Sequence, residues 1–271
     1  MALAGAPALT LALEAMGTRF ELVLPADGPS NVRAAGEAAL AEIEDCHRRL
    51  SRFESSSLVS HILRTATTHP VPLDRDTFEL FDDALAVWRE SAGSFDLTLG
   101  ERAMDALELD PVGCTLGFRR PVAALDLGGI AKGHALDLAA RLLREHGVHN
   151  AFLHGGTSSA IGLGTPPGGR SWRVALEAGG AVELRDSALS VSAVWEGNPH
   201  PTVDPRSGQA LVGERRVLVT GPSARLADAW STAILVLGAA PPGLGPEWTV
   251  TVRSEDVPAT AVPPDDPLAA E

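Results

Sequence analysis

Hydrophobic residues recur at every second position in some segments of the chain, as in strands, and at every third or fourth position in others, as in helices. Residues 7–13 and 19–24 have the two-residue alternation of β-structure and predict a strand pair, or one bent strand, around Met16–Gly17–Thr18. The same period runs through 172–194, where three antiparallel strands are predicted. Apolar runs predict further strands at 151–156, 215–221 and 247–253.

Apolar residues three and four positions apart predict four helices. They span residues 30–50, 76–92, from about 132 to 147, and 223–238. We expect Ser30 or Asn31 to cap the first helix, and Ser223 and Gly238 to bound the last one. The stretch 94–100 is predicted as a loop or short strand, and the Pro- and Gly-rich stretch 198–209 as a loop only.

These elements predict a mixed α+β fold in one compact unit. We expect a single domain over residues 1–245, followed at 246–271 by a terminal strand and a loose, acidic, Pro-rich tail.

Composition narrows the class of partner. Among 271 residues the formal net charge is −13, which argues against general binding of nucleic acids or anionic membranes. The sequence has no apolar run of about 18 residues, so we do not expect a membrane span. Its start has neither a basic n-region nor a lipid-attachment cysteine, which predicts a cytoplasmic protein. The two cysteines form no CxxC or zinc-binding pattern.

The segment LDLGGIAKGHALD (125–137) combines features of an anion-binding corner. Gly128 and Gly129 allow close approach of the backbone to a ligand, and the helix that follows presents free N–H groups. Lys132 adds a positive charge, and Asp126, at the end of a predicted strand VAALDL, is expected to point into the same crevice. No hydroxyl residue follows the lysine, so the segment is not a phosphate-binding P-loop. A plain strand–turn–helix corner is an equally good interpretation.

The segment ADAWSTA (227–233) places Asp228 and Thr232 four residues apart on one helix face. A carboxylate and a hydroxyl suit Mg²⁺, which retains waters and also binds ligand phosphate oxygens. The alternative is a solvated aspartate and a threonine that bonds back to its own helix.

The segment HPTVDPRSG (200–208) holds His200, a candidate general base. Taken alone, a loop histidine is more often a surface residue. The same reservation applies to Ser94–Phe95–Asp96 and to Met16–Gly17–Thr18.

The motifs occur along the chain in the order MGTRFEL (16–22), SRFESSSLVSHIL (51–63), AGSFDLTLG (92–100), LDLGGIAKGHALD, HGG (154–156), HPTVDPRSG and ADAWSTA. Together and in this order they resemble the ApbE family of FAD:protein FMN transferases. The resemblance covers about residues 10–240. It implies a mixed α+β fold with T-fold-like halves around an FAD cleft. It also implies Mg²⁺-dependent transfer of FMN from FAD to a Thr or Ser hydroxyl of an acceptor flavoprotein, such as a redox subunit, with release of AMP. Some members instead hydrolyse FAD to FMN and AMP.

The resemblance also assigns roles to single residues. Asp228, Thr232 and the backbone carbonyl of Gly129 match the metal ligands, and His200 is the candidate base beside the catalytic Asp228. The positions expected to hold FAD are Met16, Phe53, Ser94, Phe95, Asp96, Asp126 and Lys132.

Two positions depart from the family pattern. Pro201 stands where the family has a histidine, with His200 one place earlier, and Thr157 replaces an acidic residue. These departures keep open a flavin-binding protein without transfer activity and an FAD pyrophosphatase. A structural module without a nucleotide site is the third alternative.

Overall fold

The computed structural model describes residues 8–26, 28–99, 102–176, 179–197 and 202–254. These residues form five α-helices: α1 Val32–Leu50, α2 Leu58–Thr65, α3 Arg75–Glu90, α4 Ala131–Glu145 and α5 Ala224–Leu237. They also form fourteen strands: β1 Ala8–Ala15, β2 Thr18–Pro25, β3 Val71–Pro72, β4 Leu107–Asp110, β5 Thr115–Phe118, β6 Ala151–Gly155, β7 Ser159–Leu163, β8 Trp172–Ala175, β9 Ala181–Leu184, β10 Ser187–Val194, β11 Val203–Asp204, β12 Gln209–Ala210, β13 Arg215–Gly221 and β14 Thr249–Ser254.

A seven-stranded antiparallel sheet organises the described residues, in the order β1-β2-β6-β7-β10-β13-β14. Three smaller sheets accompany it: β3-β5-β4, β8-β9 and β11-β12. This mixed architecture confirms the predicted α+β class. The T-fold-like halves and the domain limits stay predictions.

The hairpin β1–β2 confirms the strand pair around the Met16–Gly17 turn. The backbone φ angles of Met16 and Gly17 are 51° and 71°. A two-residue hairpin turn with both φ angles positive matches the right-handed twist of the flanking strands.

Helices α1, α4 and α5 cover one face of the sheet, and α3 packs against α5. The apolar stripe predicted for α1 is buried at Ala35, Ala39, Ile43, Cys46 and Leu50. Since burial raises the pKa of the Cys46 thiol to about 12, this free cysteine is an inert core residue.

All four predicted helices are confirmed, and so are the two ends of α5. Ser223 accepts from the Leu226 N–H, and Gly238 ends the helix with a φ of 81°. The side-chain cap predicted for α1 is wrong. Asn31 occupies the N-cap position, but its side chain makes no capping hydrogen bond and donates to the His146 carbonyl instead.

Other predictions were incomplete or wrong. Helix α2 and strands β3, β4, β5 and β7 were not predicted. The predicted loop at 198–209 contains the short hairpin β11–β12, because the Asp204–Gly208 turn folds the chain back on itself. The predicted strand VAALDL (122–127) belongs to no sheet.

The opposite face of the sheet carries a second, smaller apolar cluster beneath the β8–β9 hairpin. Trp172 is the centre of this cluster and stacks near Phe152, with ring centroids 5.8 Å apart. Gly162 allows the hairpin to lie this close, since a Cβ there would be 2.8 Å from the Leu184 side chain.

None of the described helices has the length and apolar character needed to span a membrane. The predicted cytoplasmic location stays a prediction.

Candidate functional site

The site forms where the first turn of α4 meets α5. Gly133 makes this close contact possible, because a Cβ at that position would lie 2.1 Å from the Ala224 carbonyl oxygen. Asp137, one turn further along α4, accepts hydrogen bonds from the Ser223 hydroxyl at 2.8 Å and from the Ala224 and Arg225 N–H groups at 3.0 Å each. A carboxylate at a helix N-terminus satisfies otherwise unpaired N–H groups, so Asp137 fixes the start of α5 against α4.

Burial raises the pKa of Asp137, and the donors from Arg225, Ala224 and Ser223 lower it in part. A carboxylate so enclosed contributes to the junction between the helices rather than to a reaction with solvent.

Asp228 lies inside this junction and is only 3% exposed. One carboxylate oxygen, Oδ1, accepts from the Ser190 hydroxyl at 3.1 Å, and the other, Oδ2, accepts from the Gly133 N–H at 3.1 Å. The alternative of a solvated aspartate is therefore wrong. Burying a carboxylate requires such compensation, and here β10 and α4 supply it.

Lys132 supplies the nearest positive charge. Its Nζ lies 3.6 Å from Asp228 Oδ2 and donates to the Gly128 carbonyl at 3.3 Å. The lysine side chain is 21% exposed and the aspartate side chain 4%, so the pair sits at the boundary between the interior and solvent.

Thr232 occupies the next turn of α5, beside Gly129. An ideal Cβ on Gly129 would lie 3.2 Å from Thr232 Oγ1 and 3.2 Å from the Phe95 ring. The Thr232 hydroxyl donates to the Asp228 carbonyl at 3.1 Å, which confirms the predicted bond back to its own helix. Such a bond leaves the oxygen lone pairs available, so it does not exclude a cation.

The segment 94–98 packs against the same corner. Ser94 and Phe95 are buried, and the Ser94 hydroxyl donates to the Ala233 carbonyl of α5 at 3.2 Å. The side chains of Ser94 and Phe95 therefore form the buried wall of the site and expose little surface to a ligand.

Asp96 faces a different space. Its carboxylate accepts from the Thr98 N–H at 2.6 Å, and it lines a cavity of about 510 Å³ with Trp88, Arg120 and Arg206. Arg206 belongs to the DPRSG turn, so the structure brings that motif next to the segment 93–96.

Asp126 belongs to a more exposed cluster. Its Oδ1 accepts from the Gly128 N–H at 2.8 Å, and its Oδ2 lies 3.4 Å from Arg52 Nε. The Arg52 guanidinium stacks 4.5 Å from the centroid of the Phe53 ring. Phe53 as a whole residue is 83% exposed. An exposed aromatic ring and a cation beside a carboxylate form a surface on which a planar ligand could stack.

Met16 is in the turn between β1 and β2, where its N–H donates to His47 Nδ1 at 3.3 Å. No hydrogen bond among the described residues joins it to Asp126 or Asp228. The predicted base, His200, lies outside the described residues.

Sequence reasoning missed several residues of the site. The serines at 190 and 192 were visible as polar positions on one face of an apolar strand; Ser192 bonds Ser231 at 2.8 Å and lies 3.5 Å from Thr232. Arg52 adjoins the predicted Phe53, but nothing in the local sequence links it to Asp126, seventy-odd residues later.

The donor set fits a magnesium ion that is completed by a ligand. The described residues contain no group of three or more His, Cys, Asp or Glu side chains able to hold a metal. Instead, the Asp228 carboxylate and the Thr232 hydroxyl lie one helical turn apart, and the Gly129 backbone lies beside Thr232. Mg²⁺ typically takes one or two protein carboxylates, keeps several waters and uses substrate phosphate oxygens for the rest.

Comparison with known proteins agrees with the family resemblance of the sequence motifs. The ApbE family model matches residues 16–104 and 101–244. A FAD:protein FMN transferase of Rhodobacter capsulatus is 37% identical over 145 residues, which are 48% of this chain and 27% of that protein. One of Klebsiella pneumoniae is 27% identical over 219 residues, covering 68% of this chain and 69% of that protein.

The fold is also similar to a solved structure. The apo form of the Pseudomonas stutzeri flavinyl transferase ApbE superimposes with a TM-score of 0.71 at 27% identity, covering 88% of this chain and 86% of that one.

Proposed function

The chain belongs to the ApbE family, and on that premise we propose that it is a transferase that moves FMN from FAD to a Thr or Ser hydroxyl of an acceptor protein, with release of AMP. The relatives that match it are named FAD:protein FMN transferases. The observation that supports the proposal most directly is the junction of Lys132, Gly129, Asp228 and Thr232, where helix α4 begins against α5.

The proposed reaction is a phosphoryl-type transfer. The acceptor oxygen forms a bond to the phosphorus of the FMN half, and the bond from that phosphorus to the bridging oxygen breaks. AMP leaves with the bridging oxygen, and the hydroxyl proton passes to a base or to solvent. Such transfers depend mainly on positioning and on electrostatic stabilisation.

We assign the diphosphate to the first turn of α4. The positive end of the α4 dipole and the Lys132 ammonium both favour an anion there. In a chain with a net charge of −13 this local positive charge offsets the repulsion of a phosphorylated ligand.

We assign Mg²⁺ to Asp228, Thr232 and the Gly129 carbonyl. When bound, the ion would neutralise diphosphate charge and polarise the phosphoryl group under attack. Asp228 is held by Ser190 and Gly133, so its oxygens are oriented before any ligand arrives. The Lys132 ammonium, at 3.6 Å from Asp228, would be free to turn from that carboxylate toward the diphosphate once the ion shares the negative charge.

We assign the flavin nucleotide to the exposed side of this junction. Asp126 and Phe53, with Arg52 between them, offer a carboxylate acceptor and a stacking surface. Met16, Asp96 and the buried pair Ser94–Phe95 complete the predicted binding set, and His200 remains the proposed base.

The test is to incubate the protein with FAD, MgCl₂ and a redox acceptor domain, and to measure the intact mass of the acceptor and the AMP released. A gain of FMN on one Thr or Ser, abolished by Asp228→Ala and retained in Asp45→Ala on the exposed face of α1, is the expected result. AMP release without acceptor modification would indicate an FAD pyrophosphatase. FAD that stays bound and intact would indicate a flavin-binding protein.

A further inference from the structure

A groove on the far face of the sheet has no role in the site described above. It is a cavity of about 800 Å³, larger than the one at Asp96, and is lined by residues that include His154, Thr157, Val174, Val191, Ala193 and Trp195. A volume of this size is typical of ligand-binding clefts.

Strand β10 separates this groove from the metal site. Ser190 and Ser192 point toward α5, where they contact Asp228, Ser231 and Thr232. Leu189, Val191 and Ala193 alternate with these serines and line the groove. A chain lying beside β10 would therefore present its side chains alternately to both places.

Beyond Ser190, the edge of β10 that faces β7 has no paired strand among the described residues. Strand β7 pairs with β10 only from Ser187 to Ser190, whereas β13 follows β10 as far as Val194. The last bond on the β7 side runs from the Val191 N–H to the Ser158 carbonyl at 2.7 Å. By the two-residue period, the N–H and C=O of Ala193 point to the same side, where no strand of the described residues pairs with them.

We propose that an extended segment of the acceptor protein pairs with this free edge of β10, so that its target Thr or Ser, beside Ser192, faces the metal site while the adjacent residues enter the groove. This inference rests on the proposed function. Adjacent strands lie about 4.8 Å apart, so a hydroxyl beside Ser192 comes within reach of the Thr232 side of the junction.

The groove also defines the chemistry of the segment. No aspartate or glutamate is among the described residues that line it, although the chain is strongly acidic. Trp195, 51% exposed, stands at the end of the open edge as an aromatic anchor. The lining includes Arg216, which disfavours lysine or arginine beside the target. The groove therefore suits small or medium apolar side chains on both sides of the target.

Strand addition of this kind derives its affinity from main-chain hydrogen bonds and its specificity from alternate side chains. A proline at position 193 removes the N–H that points to the open edge but leaves the bonds of Ser192 and Val194 to β13. Ala193→Gly retains the N–H and is the matched control.

The experiment uses the full chain, FAD and MgCl₂ with two acceptors: a folded redox acceptor domain, and a short synthetic peptide with a central Thr flanked by valines. We expect FMN on both. Ala193→Pro should raise the KM for the acceptor about tenfold, whereas the KM for FAD stays the same. Ala193→Gly retains the N–H and should raise the acceptor KM far less. Methylating the backbone nitrogens of the peptide on the side facing β10 should abolish its modification, a test that needs no protein variant.

Three results would overturn or separate the proposals. Equal acceptor KM values in Ala193→Pro and the parent protein, with equal use of the methylated peptide, would overturn the strand pairing. Modification of the folded domain but never of the peptide would assign the groove to a folded face of the acceptor and would also overturn it. Modification of neither acceptor by the parent protein would mean that the proposed function itself fails.

Discussion

The two carboxylates of the candidate site, Asp228 and Asp126, lie in opposite surroundings. Asp228 is buried and held by groups from α4 and β10. Asp126 has a side chain that is 32% exposed, and its charged partner is Arg52, a 39% exposed side chain. Buried, multiply bonded groups keep one geometry, whereas exposed ion pairs contribute little energy and rearrange easily.

The difference indicates a division of labour. We propose that the buried corner supplies the fixed oxygens that a metal and a diphosphate need before the reaction. We likewise propose that the exposed Arg52–Phe53 pair supplies a stacking surface for the flavin ring. Substitutions should therefore separate the two regions, with effects on turnover and stability in the first and on affinity in the second.

The largest effect is expected from Asp228→Asn. The amide retains the size of the side chain but loses the charge that binds Mg²⁺ and balances Lys132, so turnover should fall by roughly a hundredfold to a thousandfold. AMP release measured across a MgCl₂ titration checks this. Turnover that keeps its normal dependence on magnesium would contradict the assignment of Asp228.

The next effect concerns Gly133. Its replacement by alanine brings a Cβ within 2.1 Å of the Ala224 carbonyl, a backbone atom that cannot move aside cheaply. We expect a loss of unfolding free energy of about 1–3 kcal/mol, with reduced turnover, because α4 and α5 must separate.

Gly36→Ala in α1 is the matched control for Gly133. There the nearest atoms are the ends of the flexible Leu11 and Leu24 side chains, at 2.6 and 2.7 Å. Its cost should be smaller and turnover should not change. Urea unfolding of the two variants measures the difference, and equal losses would show that the contact between α4 and α5 is not special.

A third prediction separates burial from function. His134 is fully buried, and neither ring nitrogen has a hydrogen-bond partner among the described residues. Burial, and next the charge of Arg225, lowers its pKa from 6.5 to about 3. The neutral ring is therefore favoured in the folded protein, so the associated stability is complete above the unfolded pKa and is lost as the pH falls from 6.5 toward 3.

At pH 5 this loss amounts to about 2 kcal/mol. Between pH 7 and pH 5, the unfolding free energy of His134→Phe should fall by about 2 kcal/mol less than that of the parent protein. Urea unfolding at both pH values measures this. The variant should keep its FAD turnover at pH 7. Identical pH dependence in the two proteins would show that His134 is protonated or solvated in the fold.

The smallest effect is expected in the exposed cluster. Arg52→Ala removes both the ion pair with Asp126 and the stacking on Phe53, and should weaken FAD binding by about two- to fivefold, less at high salt. Arg52→Lys retains the charge but not the planar stacking group, so it should recover only part of the affinity. Equilibrium titration of FAD fluorescence measures both. Salt-independent weakening would argue against a role for the charge.

Sequence alone predicted the elements whose pattern is local. The apolar period of α1, the caps of α5 and the alternation of β1 and β2 each depend on residues that are close together in the sequence. These predictions were confirmed. β7 was missed because Gly162 interrupts its apolar residues. This glycine allows the close approach of the β8–β9 hairpin, although glycine has a low strand propensity.

The same limit applies to the site. Asp228 and Thr232 could be identified because a helical turn joins them. The serines of β10 and Arg52 could not, because their relation to the site depends on how distant segments pack. Burial of Asp228, which excludes a solvated side chain, is likewise a property of the tertiary structure.

One bond of the junction, from the Gly133 N–H to Asp228, spans 95 residues of sequence. During synthesis on the ribosome the first half of this corner emerges long before the second, so a nascent chain lacks the complete junction to which we assign the reaction with FAD. Under that proposal, activity begins only when the later helix has docked.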